Sequence, residues 1–147
     1  MRLLVLPAIL FCLLTSTAAA QPRLLFDQGH RQPFRIENDG PLQLQDLATL
    51  FRQSGWQVES SSDRLTADRL SGIDALVISG LFTPLDREEI GNVLDYLQKG
   101  GKLTVMLHIG TPAANLLQAL GIQIGNLPIN DSRTSRTGTR SISPWLR

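Results

Sequence analysis

The sequence predicts an α/β fold built on a doubly wound parallel sheet, and three observations carry this. Short continuous apolar runs at 24–26 and 75–78, and the mostly apolar 103–107, have the length and composition of buried strands. The segments between them place apolar residues at helical spacing. Glycines at Gly55, Gly100, Gly101 and Gly121 stand where those helices would stop. Strand and helix alternate through the chain, which implies parallel strands joined by right-handed crossovers with helices on both faces.

The elements follow in order. Residues 23–27 form the first strand, and a polar loop runs over 28–39. Pro41 suits the first residue of a helix. Leu42, Leu44, Leu47, Leu50 and Phe51 supply its apolar positions. Residues 56–59 make a short second strand, 60–62 a loop and 66–70 a brief helical turn. Residues 75–78 make the third strand, left through Ser79 and Gly80. Thr83 can cap the next helix, with Pro84 in its first turn and Asp86, Glu88 and Glu89 at the positive end of its dipole, read as a solvated acidic turn. Ile90, Val93, Leu94 and Leu97 form its stripe. Residues 103–107 are the fourth strand. Pro112 opens a helix through Leu120, and 122–124 begin a fifth strand.

The two ends differ from this pattern. Residues 1–20 read as a signal peptide: Arg2 is the basic head, 3–14 the apolar stretch broken by Pro7, and Ala18, Ala19 and Ala20 the cleavage signal before Gln21. The apolar run falls short of the roughly 20 residues of a membrane-spanning helix. The expectation is an exported chain, periplasmic or in the cell envelope, that meets a membrane only through an uncleaved signal segment. Cys12 is the single cysteine, and Phe11 before it lacks the small size a lipoprotein signal needs. Cleavage leaves no cysteine for a disulfide or a nucleophile. The α/β domain is expected to occupy 21–130. Residues 131–147, rich in Ser, Thr, Arg and Gly, are expected to be a disordered or aberrant tail, leaving the domain incomplete at its C-terminus.

Charge excludes one class of partner. Residues 21–130 carry nine Lys and Arg against twelve Asp and Glu, a mildly acidic balance, whereas 131–147 carry four Arg and one Asp. Nothing here favours nucleic-acid binding, and aromatic residues are too sparse for a base-stacking platform.

Candidate chemistry gathers at one edge. With the first strand central and the third and fourth beside it, Asp27 and His30 follow the first strand, Ser79 the third and His108 the fourth. All four approach the carboxyl edge of the sheet, where open α/β sheets bind ligands. Two imidazoles and a carboxylate could ligate a divalent ion. The structural alternative has Asp27 capping its own loop, His30 solvated and His108 a strand-end residue. The turn after the fourth strand reads Met106, Leu107, His108, Ile109, Gly110 and holds neither Ser nor Cys, so it is no nucleophile elbow. The glycines form no phosphate-binding motif, and no cofactor is expected.

The stretch Leu24, Leu25, Phe26, Asp27, Gln28, Gly29, His30 resembles the class I glutamine amidotransferase-like superfamily. So do Asp74, Ala75, Leu76, Val77, Ile78, Ser79, Gly80, then Gly100, Gly101, Lys102, Leu103, then Met106, Leu107, His108. More narrowly, these residues resemble an exported bacterial branch of uncharacterised domains related to auxiliary domains of gliding-motility and ABC-transporter systems. The resemblance covers about residues 23–125 and implies a flavodoxin-like scaffold. Active amidotransferases carry a cysteine after the strand corresponding to 103–107, where this chain has His108 and Ile109, so glutamine hydrolysis is not expected. The resulting expectation is an exported, non-catalytic domain that binds a small ligand or a protein partner, such as an envelope protein or transporter component, through Asp27, His30, Ser79 and His108. The alternatives are a divergent, metal-assisted hydrolase using the same edge, and a truncated remnant without independent activity.

Overall fold

A computed structural model describes residues 20–108 and 112–125. The expected signal segment through residue 19, Ile109 and Gly110, and the expected tail lie outside these residues. The order is β1 (Arg23–Asp27), α1 (Gln45–Gln53), β2 (Gln57–Ser61), α2 (Ala67–Leu70), β3 (Ala75–Ser79), α3 (Arg87–Gln98), β4 (Lys102–Met106) and α4 (Ala114–Ala119). The four strands form one parallel sheet in the order β2-β1-β3-β4. The doubly wound, flavodoxin-like arrangement read from the sequence is therefore present. β1 is buried on both faces, as its unbroken apolar run requires.

The pleat divides the core in two. Leu25, Leu76 and Ile78 face α2, α3 and α4, packing with Leu70, Val93, Tyr96, Leu116 and Leu117. Leu24, Phe26 and Val77 face the other side, where Ala48, Leu47 and Phe51 of α1 cover them. Three helices thus cover one face of the described sheet and one covers the other. Register carries the same division into β4: Thr104 pairs with Val77 and Met106 with Ser79, on the α1 side.

Several boundaries differ from the sequence reading. Pro41 does not open α1. The chain turns there first, and Leu42, expected in the apolar stripe, has φ 68° and is exposed, as is Leu50. The loop before α1 is braced elsewhere: the Gln43 side-chain oxygen accepts from Arg35 N–H, and Leu44 N–H donates to the Arg35 carbonyl. α3 starts at Arg87, capped by Asp86 rather than Thr83. Asp86 and Glu89 form a reciprocal capping box, each side chain accepting the other's backbone N–H. Residues 122–124 are not a strand. Ile122 N–H bonds back to Leu117, closing the end of α4.

Two glycines separate packing from backbone freedom. Gly101 lies against the Tyr96 ring, so an added Cβ would fall 2.2 Å from it. The Tyr96 hydroxyl donates to the Lys102 carbonyl and accepts from Lys102 N–H. Gly91, inside α3, has open space where a Cβ would stand. Gly101→Ala is expected to lower unfolding free energy by about 1–3 kcal/mol through overpacking. Gly91→Ala is expected to raise it by about 0.5–1 kcal/mol through helix propensity. Urea unfolding of the two variants checks both signs.

Candidate functional site

Four residues were expected at the carboxyl edge, and the sheet places two on each side of it. Strand alternation puts Asp27 on the face of Leu25 and Ile78, toward α3. It puts Ser79 on the face of Val77, toward α1. Asp27 and His30 meet in one cluster. His108 belongs to another, and Ser79 lies buried at the end of β3 on that second side.

The first cluster centres on His30, which is buried rather than solvated. Its Nδ1 lies 2.8 Å from Asp27 Oδ2, and its Nε2 lies 3.2 Å from both carboxylate oxygens of Glu89. Asp27 also accepts from Gly29 N–H at 3.0 Å and from the Gln32 side-chain amide. The Gln32 side-chain oxygen Oε1 accepts from His30 N–H at 2.6 Å, which fixes the loop after β1. Glu89 Oε1 accepts from Leu65 N–H at 3.1 Å, and Oε2 from Asp86 N–H at 3.0 Å. This one carboxylate therefore ties together the loops that follow β1, β2 and β3. Arg64 adds distant positive charge, its Nε 4.0 Å from Glu89.

Electrostatics make this a charged triad. Burial alone disfavours the His30 cation. The hydrogen bond and charge of Asp27, followed by those of Glu89, more than offset that penalty and raise its pKa from 6.5 to about 8. Burial raises the Glu89 pKa, but the Asp86 and Leu65 amides, with His30, hold it below the ordinary carboxylate value. At neutral pH both ring nitrogens of His30 carry hydrogen and donate in opposite directions. In that protonated state each ring N–H faces a carboxylate, Asp27 on one side and Glu89 on the other. Among the described residues no group of three His, Cys, Asp or Glu is placed to hold a metal ion.

The second cluster is aromatic. His108 is exposed and packs edge-on against Phe34, with ring centroids 5.0 Å apart and planes at 83°. The Phe82 ring lies 6.0 Å from that of His108, with the planes tilted at 35°. Phe34 is pressed on Gly80, where an added Cβ would stand 2.8 Å from the Phe34 ring and φ is +61°. The order β2-β1-β3-β4 makes the gap between β1 and β3 the topological switch point, where a ligand crevice is expected. Here the chain closes it with its own loops. The His30 carbonyl accepts from Phe82 N–H at 3.1 Å and from Thr83 N–H at 3.0 Å, and Phe34 lies over Gly80. Phe82 and Leu107 remain 53% exposed on the outer surface. A separate open hollow of about 650 Å³ lies beside α2, lined by Arg23, Arg64 and Arg69 together with Asp63 and Asp68.

The sequence reading missed Glu89, Gln32 and Phe34. The place of Glu89 in an acidic first turn predicts a solvated side chain, yet it is buried. The signal that could have marked it is the Asp86-x-x-Glu89 spacing, which is that of a capping box and turns the glutamate back over the helix start.

The pH dependence follows from the two shifts. His30 binds its proton more tightly when folded, so its contribution is complete below pH 6.5 and fades as pH rises through about 8. Glu89 is lowered, so its contribution is present above its ordinary value of 4.5 and is lost as pH falls below that. Stability is expected to be greatest between about pH 4.5 and 6.5 and to fall by about 2 kcal/mol by pH 9. His30→Ala is expected to cost about 3–5 kcal/mol at pH 6, because it leaves two buried carboxylates without their cation, and to flatten the alkaline decline. Urea unfolding of both proteins at pH 6 and 9 measures each effect.

Comparison with known proteins supports the fold. No protein-family profile and no curated protein matches the chain. Among solved structures, the mmIFT52 N-terminal domain is similar, with 25% sequence identity and a TM-score of 0.52 over 58% of this chain. The match covers 35% of that structure's chain, so this chain is similar to about a third of it.

Proposed function

We infer that this chain is an exported, non-catalytic α/β domain that docks a protein partner of the cell envelope across the outer surface of its carboxyl edge. The observation that carries this reading is the closed switch point: Phe34 sits on Gly80 while both ring nitrogens of His30 are held by carboxylates. Among the described residues, Phe34 occupies the space over Gly80 that a small ligand would use, and each ring nitrogen of His30 faces a carboxylate. What remains accessible is apolar and aromatic: Phe82, Leu107 and His108. Aromatic side chains of this kind anchor protein interfaces. Export is supported by the composition of residues 1–20. The scaffold role is supported by the resemblance to amidotransferase-like domains and by the absence of Ser or Cys from 106–110. Of the four residues read from the sequence, His108 then belongs to the docking surface, Asp27 and His30 hold its loops from beneath, and Ser79 supports the strand end.

The test pairs location with contact. Expressed with its own N-terminus in a bacterial host, the chain is expected to be recovered outside the cytoplasm with Gln21 as its first residue by intact mass. A photo-crosslinking residue at Phe82 or Leu107 is expected to capture one discrete envelope protein, and the same probe at exposed Leu50 to capture none. A Phe82→Ala/Leu107→Ser variant should unfold like the parent and lose that adduct. Equal labelling from Leu50, or a full-length cytoplasmic product, would contradict the reading.

A further inference from the structure

β4 is an edge strand of the described sheet. Among the described residues β4 pairs only with β3. Lys102 N–H donates to the Asp74 carbonyl and the Met106 carbonyl accepts from Gly80 N–H, so the even-numbered residues of β4 turn their backbone groups toward β3. Alternation then turns the N–H and C=O of Leu103 and Val105 outward. A row of such groups on an edge strand is a template for another strand.

The five residues Lys102, Leu103, Thr104, Val105 and Met106 are self-complementary when the strand meets itself antiparallel about Thr104. Leu103 falls opposite Val105 of the second copy and Val105 opposite its Leu103. Both are outward-turned positions, so each pair exchanges two backbone hydrogen bonds. Thr104 falls opposite Thr104 at a site without backbone bonds, where side chains come closest and threonine pairs are favourable. Lys102, the only charge in the strand, falls opposite Met106 rather than another lysine. Leu107, 53% exposed, falls opposite Gly101. Thr104 itself is exposed, and no helix of the described chain covers this flank on the α1 side. An edge lysine normally discourages pairing, but this register gives it an uncharged neighbour.

We propose that two copies of this chain associate through β4 in an isologous, two-fold antiparallel pairing centred on Thr104, joining the two described four-stranded sheets into one continuous sheet. The interface is distinct from the carboxyl-edge surface above and does not depend on that surface's function.

Light scattering on the full chain is expected to give twice the 16.2 kDa chain mass, or twice the mass of the chain after cleavage. Val105→Pro removes an outward N–H and leaves the β3 pairing in place, so it is expected to give a folded monomer. Should that variant fail to fold, Thr104→Arg sets two cations across the axis from an exposed position and is expected to give the same monomer. With Cys12 replaced by Ser, Thr104→Cys is expected to form a disulfide-linked dimer in air, because the paired Cα atoms would lie about 4.5 Å apart. Lys102→Cys, displaced along the strand from its own symmetry mate, is expected not to. A wild-type monomer at every concentration reached would overturn the proposal. So would a dimer that survives both Val105→Pro and Thr104→Arg, or one that Lys102→Cys links as readily as Thr104→Cys.

Discussion

A single buried cation holds the carboxyl edge of this domain together. His30 stands between Asp27 and Glu89, and Glu89 in turn receives the backbone amides of Leu65 and Asp86. Three loops from three strands therefore end on one small polar cluster. Taking carboxylates out of water is costly, and the imidazolium together with the converging N–H groups offsets that cost. Removing the proton leaves one ring nitrogen with its lone pair against a carboxylate. The cluster thus depends on His30 being charged, and Gln32 ties its loop to it by bonding both Asp27 and His30.

The same arrangement keeps the histidines, aspartate and serine of this edge in separate groups. Chemistry needs a nucleophile, a base and an open space in one place. The pleat sends Asp27 to the α3 side and Ser79 to the α1 side, while Phe34 lies on Gly80 between them. His30 spends both ring nitrogens on structure. The proposed function and the proposed dimer use surfaces instead: the aromatic group of Phe34, Phe82 and His108 above the edge, and β4, the edge strand of the described sheet.

Much of the fold was legible because burial on two faces writes continuous apolar runs. Leu24 to Phe26 and Ala75 to Ile78 could be little else in a chain of alternating elements, and the strands fall within a residue or two of their expected bounds. Helix starts were harder to place. Pro41 and Pro84 both suit a first turn, yet the chain bends at one and reaches the Asp86 cap three residues beyond Thr83 at the other. The site was half legible. Asp27 and His30 are three residues apart and contact each other, a local relation that sequence can suggest. Glu89 lies 59 residues from His30, and only the α3 capping geometry turns it inward. Tertiary packing also decided that Phe34 would fill the switch point, and nothing in the spacing of residues 28–39 announces it.

The most direct test of the central cation is the ring chemistry of His30, followed by nuclear magnetic resonance on nitrogen-labelled protein through a pH titration. The account requires both ring N–H groups to be present at pH 7, protected from exchange with water, and the ring to titrate near pH 8. A ring that titrates at or below 6.5, or that shows a single exchangeable N–H at pH 6, would contradict the charged triad and the closed edge built on it.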